Sequence, residues 1–369
     1  MNYLVTGGAG FIGTHLVRRL VGDGHNVRVL DGLVPPVHTS SRPYQPIEGV
    51  EFIRGAVDDI DIWRQALIGV DRVYHLAGYM DYQPYFSRYY LSNTVSSAML
   101  FETIVVEKMS LDKVVFASSQ AIYGEGSYEC ESDGMVYPEG REFDQLDRND
   151  WNVRCPICGG VANPVATTEE NAKPHNAYAM SKISMEQLAH NLGRRYDIAT
   201  VALRYSIVHG PGQSPYNVYS GALRSFCVRV LNGKPPTVFE DGRQFRDYVN
   251  VHDVTDANIL VMESDLANGH SFNVGGERWT TVTELANLVQ EVSGYSGTHE
   301  SSGMYRVGDV RHIVSDISKL KEIGWRPRKT LREGVVEYLD WLRRENVPDT
   351  FAQTAIDMSK LGMLRGGVD

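Results

Sequence analysis

Cysteine is scarce in this chain of 369 residues: there are four cysteines, and three of them lie between Cys130 and Cys158. So few cysteines, grouped in this way, do not make a disulfide framework. Long apolar runs are lacking too, because no stretch reaches the roughly 18 residues that a membrane span requires. We therefore expect a protein without disulfide bonds and without membrane contact.

A surplus of positive charge is lacking as well. The chain has 36 lysines and arginines against 46 aspartates and glutamates, which gives a formal net charge of −10. A general binder of phosphate backbones needs an excess of basic side chains, so we expect no nucleic-acid partner. The first residues, NYLVTG, are typical of a strand and do not resemble a secretory signal peptide. We predict a cytoplasmic protein.

What is present is an alternation of short β-rich runs with longer helical patterns, such as NYLVTG, FIGTHLVRRLVGDG and NVRVLDG. This alternation predicts an α/β fold with a parallel, doubly wound sheet. We expect this domain over residues 1–204, with a polar, turn-rich insertion at 125–168. A smaller substrate-binding lobe is expected over 205–345, partly interleaved with the first domain, and a tail helix over 346–369.

The stretch TGGAGFIG places Gly7, Gly10 and Gly13 between the first strand and a helix. Glycines at this spacing let the backbone approach a pyrophosphate, which then lies at the positive end of the helix. Asp31 ends the next strand, where its carboxylate can accept hydrogen bonds from a ribose 2′-hydroxyl and would repel a 2′-phosphate. The sequence therefore predicts NAD, rather than NADP, as the cofactor.

A second motif, YAMSK, puts Tyr178 and Lys182 one helical turn apart on the same face. A nearby ammonium stabilises a phenolate, so we expect Tyr178 to act as a base near neutral pH. Tyr-x-x-x-Lys alone is common by chance. The stretch FASSQAIYG adds weight, because it places Ser118 and Ser119 at the carboxyl end of a parallel strand, where such folds carry out chemistry.

With these motifs the chain resembles the extended short-chain dehydrogenase/reductase family, in its NAD-dependent nucleotide-sugar epimerase/dehydratase branch. The resemblance spans about residues 1–345 and includes an HLAG strand end at residues 75–78, RY…GPG and RDYV. It implies a Rossmann-type fold, NAD as the cofactor and a nucleotide sugar as the substrate. It also implies a homodimer formed through helices near 87–108 and 176–195.

The resemblance assigns Ser119, Tyr178 and Lys182 to catalysis, with Ser119 sharing the hydrogen bond to the substrate hydroxyl. Asn93 corresponds to an asparagine at a helix start beside the active site. The cofactor contacts that the resemblance and the motifs together predict are Gly7, Gly10, Phe11, Ile12, Gly13, Asp31, Leu76, Ala77, Gly78, Asn93, Tyr178 and Lys182.

Substrate contacts follow from the same resemblance. Arg246 of RDYVNVHD and Arg306 of YRVGDVRH match arginines that meet the diphosphate of the nucleotide sugar, and a guanidinium group suits phosphate oxygens. Ser118 and Gln120 are further candidates for substrate contact, although Ser118 also suits a role in holding the strand end.

The residues after Ser119 indicate which reaction to expect. A 4,6-dehydratase of the branch has an Asp-Glu pair there, whereas this chain has Gln120 and Ala121, which cannot exchange protons. A net ketoreductase would use NADPH, which Asp31 disfavours. The expected reaction is 4-epimerisation of a dTDP- or UDP-linked hexose or deoxyhexose through a transient 4-keto sugar. A nucleotide-sugar oxidoreductase and a UDP-uronic acid 4-epimerase stay as alternatives.

The stretch CPICGG contains a Cys-x-x-Cys turn, Cys155 and Cys158, of the kind that binds metals. Upstream, CESD offers Cys130 and Asp133 at the same spacing, which completes four ligands for a structural zinc. Within the resembled branch, deoxysugar epimerases similar to dTDP-L-rhamnose 4-epimerase have a CPxCG insertion here, with a histidine at the Asp133 position. A metal-free turn is therefore the alternative.

Overall fold

The computed structural model describes residues 1–35, 37–38, 43–81, 83–216, 221–345 and 347–366. The strands are β1 (Asn2–Thr6), β2 (Asn26–Asp31), β3 (Val50–Arg54), β4 (Arg72–His75), β5 (Lys113–Ser119), β6 (Tyr128–Cys130), β7 (Gly134–Val136), β8 (Asn163–Pro164), β9 (Ala199–Tyr205), β10 (Ile207–His209), β11 (Thr237–Val238), β12 (Phe245–Asn250), β13 (His270–Val274), β14 (Trp279–Thr281), β15 (Glu300–Ser301), β16 (Tyr305–Arg306) and β17 (Leu364–Arg365).

The helices are α1 (Phe11–Gly22), α2 (Ile60–Ala66), α3 (Phe86–Tyr89), α4 (Ser96–Val106), α5 (Phe143–Asp147), α6 (Ala177–Tyr196), α7 (Ala222–Leu231), α8 (Val251–Glu263), α9 (Val282–Ser293), α10 (Ser318–Glu322), α11 (Leu331–Glu345) and α12 (Phe351–Lys360). A π-helical turn, Tyr90–Val95, joins α3 to α4, and short 3₁₀ turns lie at Gln120–Tyr123 and Asp265–Ala267.

Seven parallel strands form the central sheet in the order β13-β9-β5-β4-β1-β2-β3. The chain runs outward from β1 through β2 to β3, and then returns to β4 on the other side of β1. The carboxyl ends of β1 and β4 therefore meet at the point where the strand order reverses, which is where open α/β sheets bind ligands. The predicted doubly wound α/β fold is confirmed.

Consecutive strand residues point to opposite faces of this sheet, and both faces are covered by helices. Val5 and Val115 are in a buried cluster with residues of α1 and α8. Their neighbours Leu4 and Val114 are in a second cluster, with residues of α2, α4 and α6. Burial on both faces explains why these strands are continuous apolar runs.

A third buried cluster, with Leu223, Leu285 and Leu339, is formed by α7, α9 and α11. It lies in the second half of the chain, beside the small sheet β10-β12-β14. The second half also returns to the main sheet, because β13 is an edge strand and α8 packs on one face. The two halves of the chain thus share elements across residue 204.

The insertion and the tail form small additions to this core. In the insertion, β7, β6 and β8 make a three-stranded antiparallel sheet. In the tail, α12 is followed by β17, which pairs with β16, and residues 346 and 367–369 of the predicted tail lie outside the described residues. Within the described part of the chain, we find no helix both long and apolar enough to cross a membrane.

Candidate functional site

A cavity of about 570 Å³ opens where β1, β4 and β5 end, and it extends into the lobe of α7 and β12. It brings together most of the residues that the sequence predicts for the site. Those that line it are Gly7, Gly10, Phe11, Ile12, Gly13, Leu76, Gly78, Ser118, Ser119, Gln120, Tyr178, Lys182, Arg246 and Arg306. The other three, Asp31, Ala77 and Asn93, lie behind or beside this wall.

The glycine turn after β1 has no room for side chains. Gly7 has a φ of +68°, and a Cβ on it would lie 2.8 Å from the backbone nitrogen of Ala77. A Cβ on Gly13 would lie 2.2 Å from the carbonyl oxygen of Gly7. Gly10 caps α1 without a side-chain hydrogen bond. The N-terminal amides of α1 are therefore accessible to an anion, as a pyrophosphate site requires.

Asp31 lies beside this turn and is held by backbone donors. One carboxylate oxygen accepts a hydrogen bond from the amide of Ala9 at 3.1 Å, and the other accepts one from Leu33 at 2.9 Å. Ala77 is fixed to β1, because its amide donates to the hydroxyl of Thr6 at 3.2 Å. Both residues therefore support the cofactor end of the cavity, and Asp31 keeps its acceptor oxygens near the strand end.

Asn93 lies within the π-helical turn, so the expectation of a helix start was wrong at this residue. Its side-chain oxygen accepts a hydrogen bond from the amide of Tyr79 at 3.3 Å, and its amide group donates to the Ser181 hydroxyl at 2.9 Å. A Cβ on Gly78 would lie 2.8 Å from that oxygen. Asn93 thus joins the end of β4 to α6 from behind the cavity wall.

Ser119, Tyr178 and Lys182 meet at the carboxyl end of β5. Asn176 caps the start of helix α6, because its side chain accepts a hydrogen bond from the amide of Ala179, so Tyr178 lies in the first turn. The Lys182 ammonium donates to the carbonyl oxygen of Ala117 at 2.7 Å and lies 5.9 Å from the centre of the Tyr178 ring. The strand end and the first turns of the helix thus hold the three side chains together.

The electrostatics of this group differ from the expectation of a phenol that ionises near neutral pH. Burial raises the pKa of Tyr178 above its usual value, and the hydrogen bond with Ser119 opposes that change. Burial also lowers the pKa of Lys182 to about 8, and the charge of Glu186 opposes this change. The pKa of Tyr178 is therefore raised rather than lowered here, because its surroundings disfavour the charged phenolate.

Ser118 and Gln120 border the cavity in different ways. The Ser118 hydroxyl donates to the carboxylate of Glu186, which also pairs with Arg204. This contact fits the role of holding the strand end, and a contact of Ser118 with substrate stays a prediction. Gln120 is nearly buried, and its side-chain oxygen has no hydrogen-bond partner among the described residues.

The two predicted diphosphate arginines line the cavity from β12 and β16. Arg246 donates to the backbone oxygens of Phe245 and Arg311 at 2.9 Å, which fixes its guanidinium. Arg306 lies over the ring of Phe239 with 5.5 Å between the guanidinium carbon and the ring centre. Its Nε is buried and has no partner among the described residues. Both side chains can offer donors to an anionic group.

The four predicted metal ligands form a cluster in the insertion, away from the cavity. The sulfurs of Cys130, Cys155 and Cys158 and a carboxylate oxygen of Asp133 lie within 4.8 Å of one another. The Asp133 oxygen is 3.4 Å from the Cys130 sulfur and 3.2 Å from that of Cys155, and the sulfurs of Cys130 and Cys158 are 3.5 Å apart. The backbone amide of Ile157 donates to the Cys155 sulfur at 3.4 Å.

Among the residues of the cavity wall that the sequence did not predict are Phe239, Glu240 and Phe351. Glu240 is buried with a φ of +53° and pairs with Arg141 of the insertion and with Arg311. Phe239 and Glu240 come shortly before Arg246 in the sequence, and this position was the one available sign that they belong to the site. Phe351 gave no signal, because only folding brings the tail to the cavity.

Comparison with known proteins agrees with this geometry. The sequence matches the NAD dependent epimerase/dehydratase family over residues 3–139 and 157–275. A dTDP-L-rhamnose 4-epimerase of Burkholderia thailandensis is 30% identical, over 93% of this chain and 95% of the relative. A UDP-glucose 4-epimerase of Thermotoga maritima with UDP-glucose is 31% identical with a TM-score of 0.76, over 94% of this chain and 99% of that one.

A further solved structure, a UDP-glucose 4-epimerase of Thermus thermophilus in complex with NAD, is 29% identical with a TM-score of 0.70. It covers 93% of this chain, and this chain covers 99% of it. The stretch between the two parts that match the family lies inside the insertion. Since the match includes the glycine turn and the Tyr-x-x-x-Lys motif, the chain belongs to the NAD dependent epimerase/dehydratase family.

Proposed function

We propose that the protein is an NAD-dependent 4-epimerase of nucleotide-diphosphate sugars, which acts on a dTDP- or UDP-linked hexose or deoxyhexose through a transient 4-keto sugar. The observation that carries the proposal is one continuous cavity. It joins the glycine turn and the group of Ser119, Tyr178 and Lys182 to Arg246 and Arg306. The 4-epimerase names of the relatives support the same reaction.

The residues around the glycine turn fit NAD. The free amides at the start of α1 would bind the pyrophosphate, and Asp31 would accept hydrogen bonds from the ribose hydroxyls. Gly78 keeps the wall beside Lys182 open, because a Cβ there would lie 3.1 Å from the ammonium nitrogen. When bound, oxidised NAD takes the hydride from C4 of the sugar and returns it, and its nicotinamide adds positive charge to the site.

The protein's own groups would manage the proton and the orientation of the sugar. Tyr178 takes the proton of the C4 hydroxyl and later returns it, Ser119 holds that hydroxyl by a hydrogen bond, and the Lys182 ammonium favours the phenolate. Arg246 and Arg306 hold the diphosphate while the sugar turns over between hydride removal and return. Gln120 and Ala121 offer no acid or base for a competing dehydration.

The test is C4 inversion in the purified protein, without added nicotinamide, on a panel of dTDP- and UDP-sugars with deuterium at C4. We expect NMR to show inversion with retention of the label, and no accumulation of NADH. Stoichiometric NADH would instead identify a nucleotide-sugar oxidoreductase. Inversion restricted to UDP-glucuronic acid would identify a uronic acid 4-epimerase, and washout of the label would contradict hydride return.

We further propose that Cys130, Asp133, Cys155 and Cys158 bind one structural zinc. Tetrahedral zinc with sulfur ligands at about 2.3 Å has ligand-to-ligand distances of about 3.8 Å, near those of the cluster. Such a site has no open position, so its role would be to stabilise the insertion rather than to act on substrate. A metal-free turn is the alternative.

The proposed assembly is a homodimer formed by α3, the π-helical turn and α4 together with α6. These elements carry exposed apolar side chains, namely Phe86, Leu91, Val106 and Met180. Sedimentation analysis of the purified protein tests this proposal. We also propose a cytoplasmic location, with an NAD-binding domain at 1–204, a nucleotide-sugar lobe at 205–345 and a tail at 346–369 whose elements interleave.

A further inference from the structure

The C-terminal tail reaches the cavity described above, where it meets the lobe of α7 and β12. Phe351, at the start of α12, lines the cavity together with Phe239 and Arg306. The rings of Phe351 and Phe239 are 6.3 Å apart between centres and inclined at 49°. The tail is therefore part of the cavity wall on the side of the proposed diphosphate arginines.

The start of the tail is fixed to α7 and the residues after it. The Asp349 carboxylate lies 3.0 Å from the ammonium of Lys234 and 3.5 Å from the guanidinium of Arg229, and it accepts a hydrogen bond from the amide of Phe351 at 2.9 Å. The Arg229 guanidinium also lies 4.6 Å from the centre of the Phe351 ring. These contacts hold the ring in one place.

The end of the tail is fixed to the strand that carries Arg306. In the β16–β17 pair, Arg306 lies opposite Leu364, and the amide of Val307 donates to the carbonyl oxygen of Met363 at 3.0 Å. Leu364 is buried. The pairing therefore positions the backbone of Arg306, which is proposed to bind the diphosphate. The tail thus supports this arginine as well as forming part of the aromatic wall.

Behind Phe351 the structure is nearly filled. The space between α12, Arg224 and Leu364 is about 20 Å³, which is room for one water. A base that contacts Phe351 can therefore go no deeper, and the dTDP- or UDP-linked substrate of the proposed function supplies a pyrimidine as that base. Two aromatic rings and two arginines in the wall of one cavity can serve a nucleoside diphosphate, because its base stacks and its phosphates accept hydrogen bonds.

We propose that the tail, residues 347–366, forms the base-binding end of the nucleotide site, with Phe351 contacting a pyrimidine and β17 positioning Arg306. This inference rests on the proposed function, since it takes the nucleotide of the sugar substrate as the ligand. It gives the tail a direct part in substrate affinity, whereas the NAD contacts are made by other elements, at the glycine turn after β1.

The test is calorimetric binding of dTDP, UDP and GDP to the NAD-loaded protein. Removing a side chain that stacks on a base lowers affinity markedly, so we expect Phe351→Ala to raise the Kd for dTDP and UDP about tenfold, with unchanged NAD content. The control is Ile356→Ala, an exposed residue of the same helix, which should leave both Kd values unchanged. GDP should bind more weakly than either pyrimidine nucleotide.

A measurement on the unmodified protein covers the case in which Phe351→Ala fails to fold. Hydrogen exchange of residues 351–366 should slow when dTDP or UDP is added. A Kd within twofold of the unmodified protein, or unchanged exchange in the tail, would overturn the role of the tail, and equal binding of GDP would overturn the choice of a pyrimidine. Nucleotide binding without any epimerisation would overturn only the proposed function, because neither measurement needs turnover.

Discussion

The carboxyl edge of β5 and the insertion at 125–168 both bury polar groups, but they hold them by different means. At the edge of β5, Lys182 is buried and Tyr178 is half-buried between the main sheet and α6, and Lys182 has a carbonyl oxygen as its hydrogen-bond partner. In the insertion, Arg141 is buried against the carboxylate of Glu240 with two hydrogen bonds, at 2.9 and 3.0 Å. Among the described residues, Lys182 thus has no carboxylate within ion-pair distance, whereas Arg141 has one.

The difference follows from how much core each region has. The sheet edge belongs to two large apolar clusters that can tolerate the cost of burying a reactive amine. The insertion has strands of two or three residues and a cluster of six buried residues, Tyr128, Cys130, Val136, Val153, Cys155 and Ala162. So small a core needs further stabilising interactions, and the cysteine cluster and the ion pairs provide them.

The largest expected effect comes from a substitution that removes a reacting group at the edge of β5 but keeps the packing there. Tyr178→Phe keeps the buried ring and removes the hydroxyl, so proton abstraction should fail. We expect turnover to fall at least about 100-fold, the low end for a general base, while NAD stays bound. The measurement is single-substrate kinetics with NAD content as the control. Near-normal epimerisation by this variant would rule out Tyr178 as the base.

The next effect concerns the cysteine cluster. Native protein purified without added metal should contain about one zinc per chain by elemental analysis, and Cys155→Ser should contain none. This variant should also unfold at a lower temperature and keep its NAD, because the insertion lies outside the cofactor site. Cys227→Ala is the control, since Cys227 is buried in the other lobe and its loss should not change the zinc content. Zinc-free native protein would leave the cluster as a turn without metal.

The ion pair of the insertion gives a smaller effect. Arg141→Ala removes two hydrogen bonds from a buried carboxylate that Arg311 still contacts, so we expect a loss of about 2 kcal/mol in the free energy of unfolding. The control is Arg332→Ala, which breaks an exposed pair with Glu291 and should therefore lower the free energy of unfolding much less. Equal losses in urea unfolding would show that burial of the first pair does not matter.

The sequence predicted the sheet, the glycine turn and the group of Ser119, Tyr178 and Lys182, because periodicity and short motifs encode local structure. It could not predict which way the Ser118 hydroxyl turns, since Glu186 comes from a distant helix. The same holds for Phe351, which reaches the cavity through contacts between residues far apart in the chain. The raised pKa of Tyr178 depends on burial, which the spacing to Lys182 does not report.

The smallest expected effect tests whether the sheet edge carries an uncompensated charge. Because burial lowers the pKa of Lys182 from 10.5 to about 8, the folded protein releases this proton between about pH 8 and 10.5, while the unfolded chain keeps it. Stability therefore rises with pH in that window, and the cost of the buried ammonium is fully present below pH 8.

Between pH 7 and 9 we expect the unmodified protein to gain about 1 kcal/mol in unfolding free energy relative to Lys182→Met, which has no proton to release. Lys113, whose pKa is also lowered to about 8 by burial, is present in both proteins, so its contribution cancels in the comparison. Urea unfolding at the two pH values measures the difference. If the unfolding free energies of the two proteins changed equally with pH, the pKa of Lys182 would not be lowered. Lys182 would then not differ from the paired Arg141 of the insertion in the way described above.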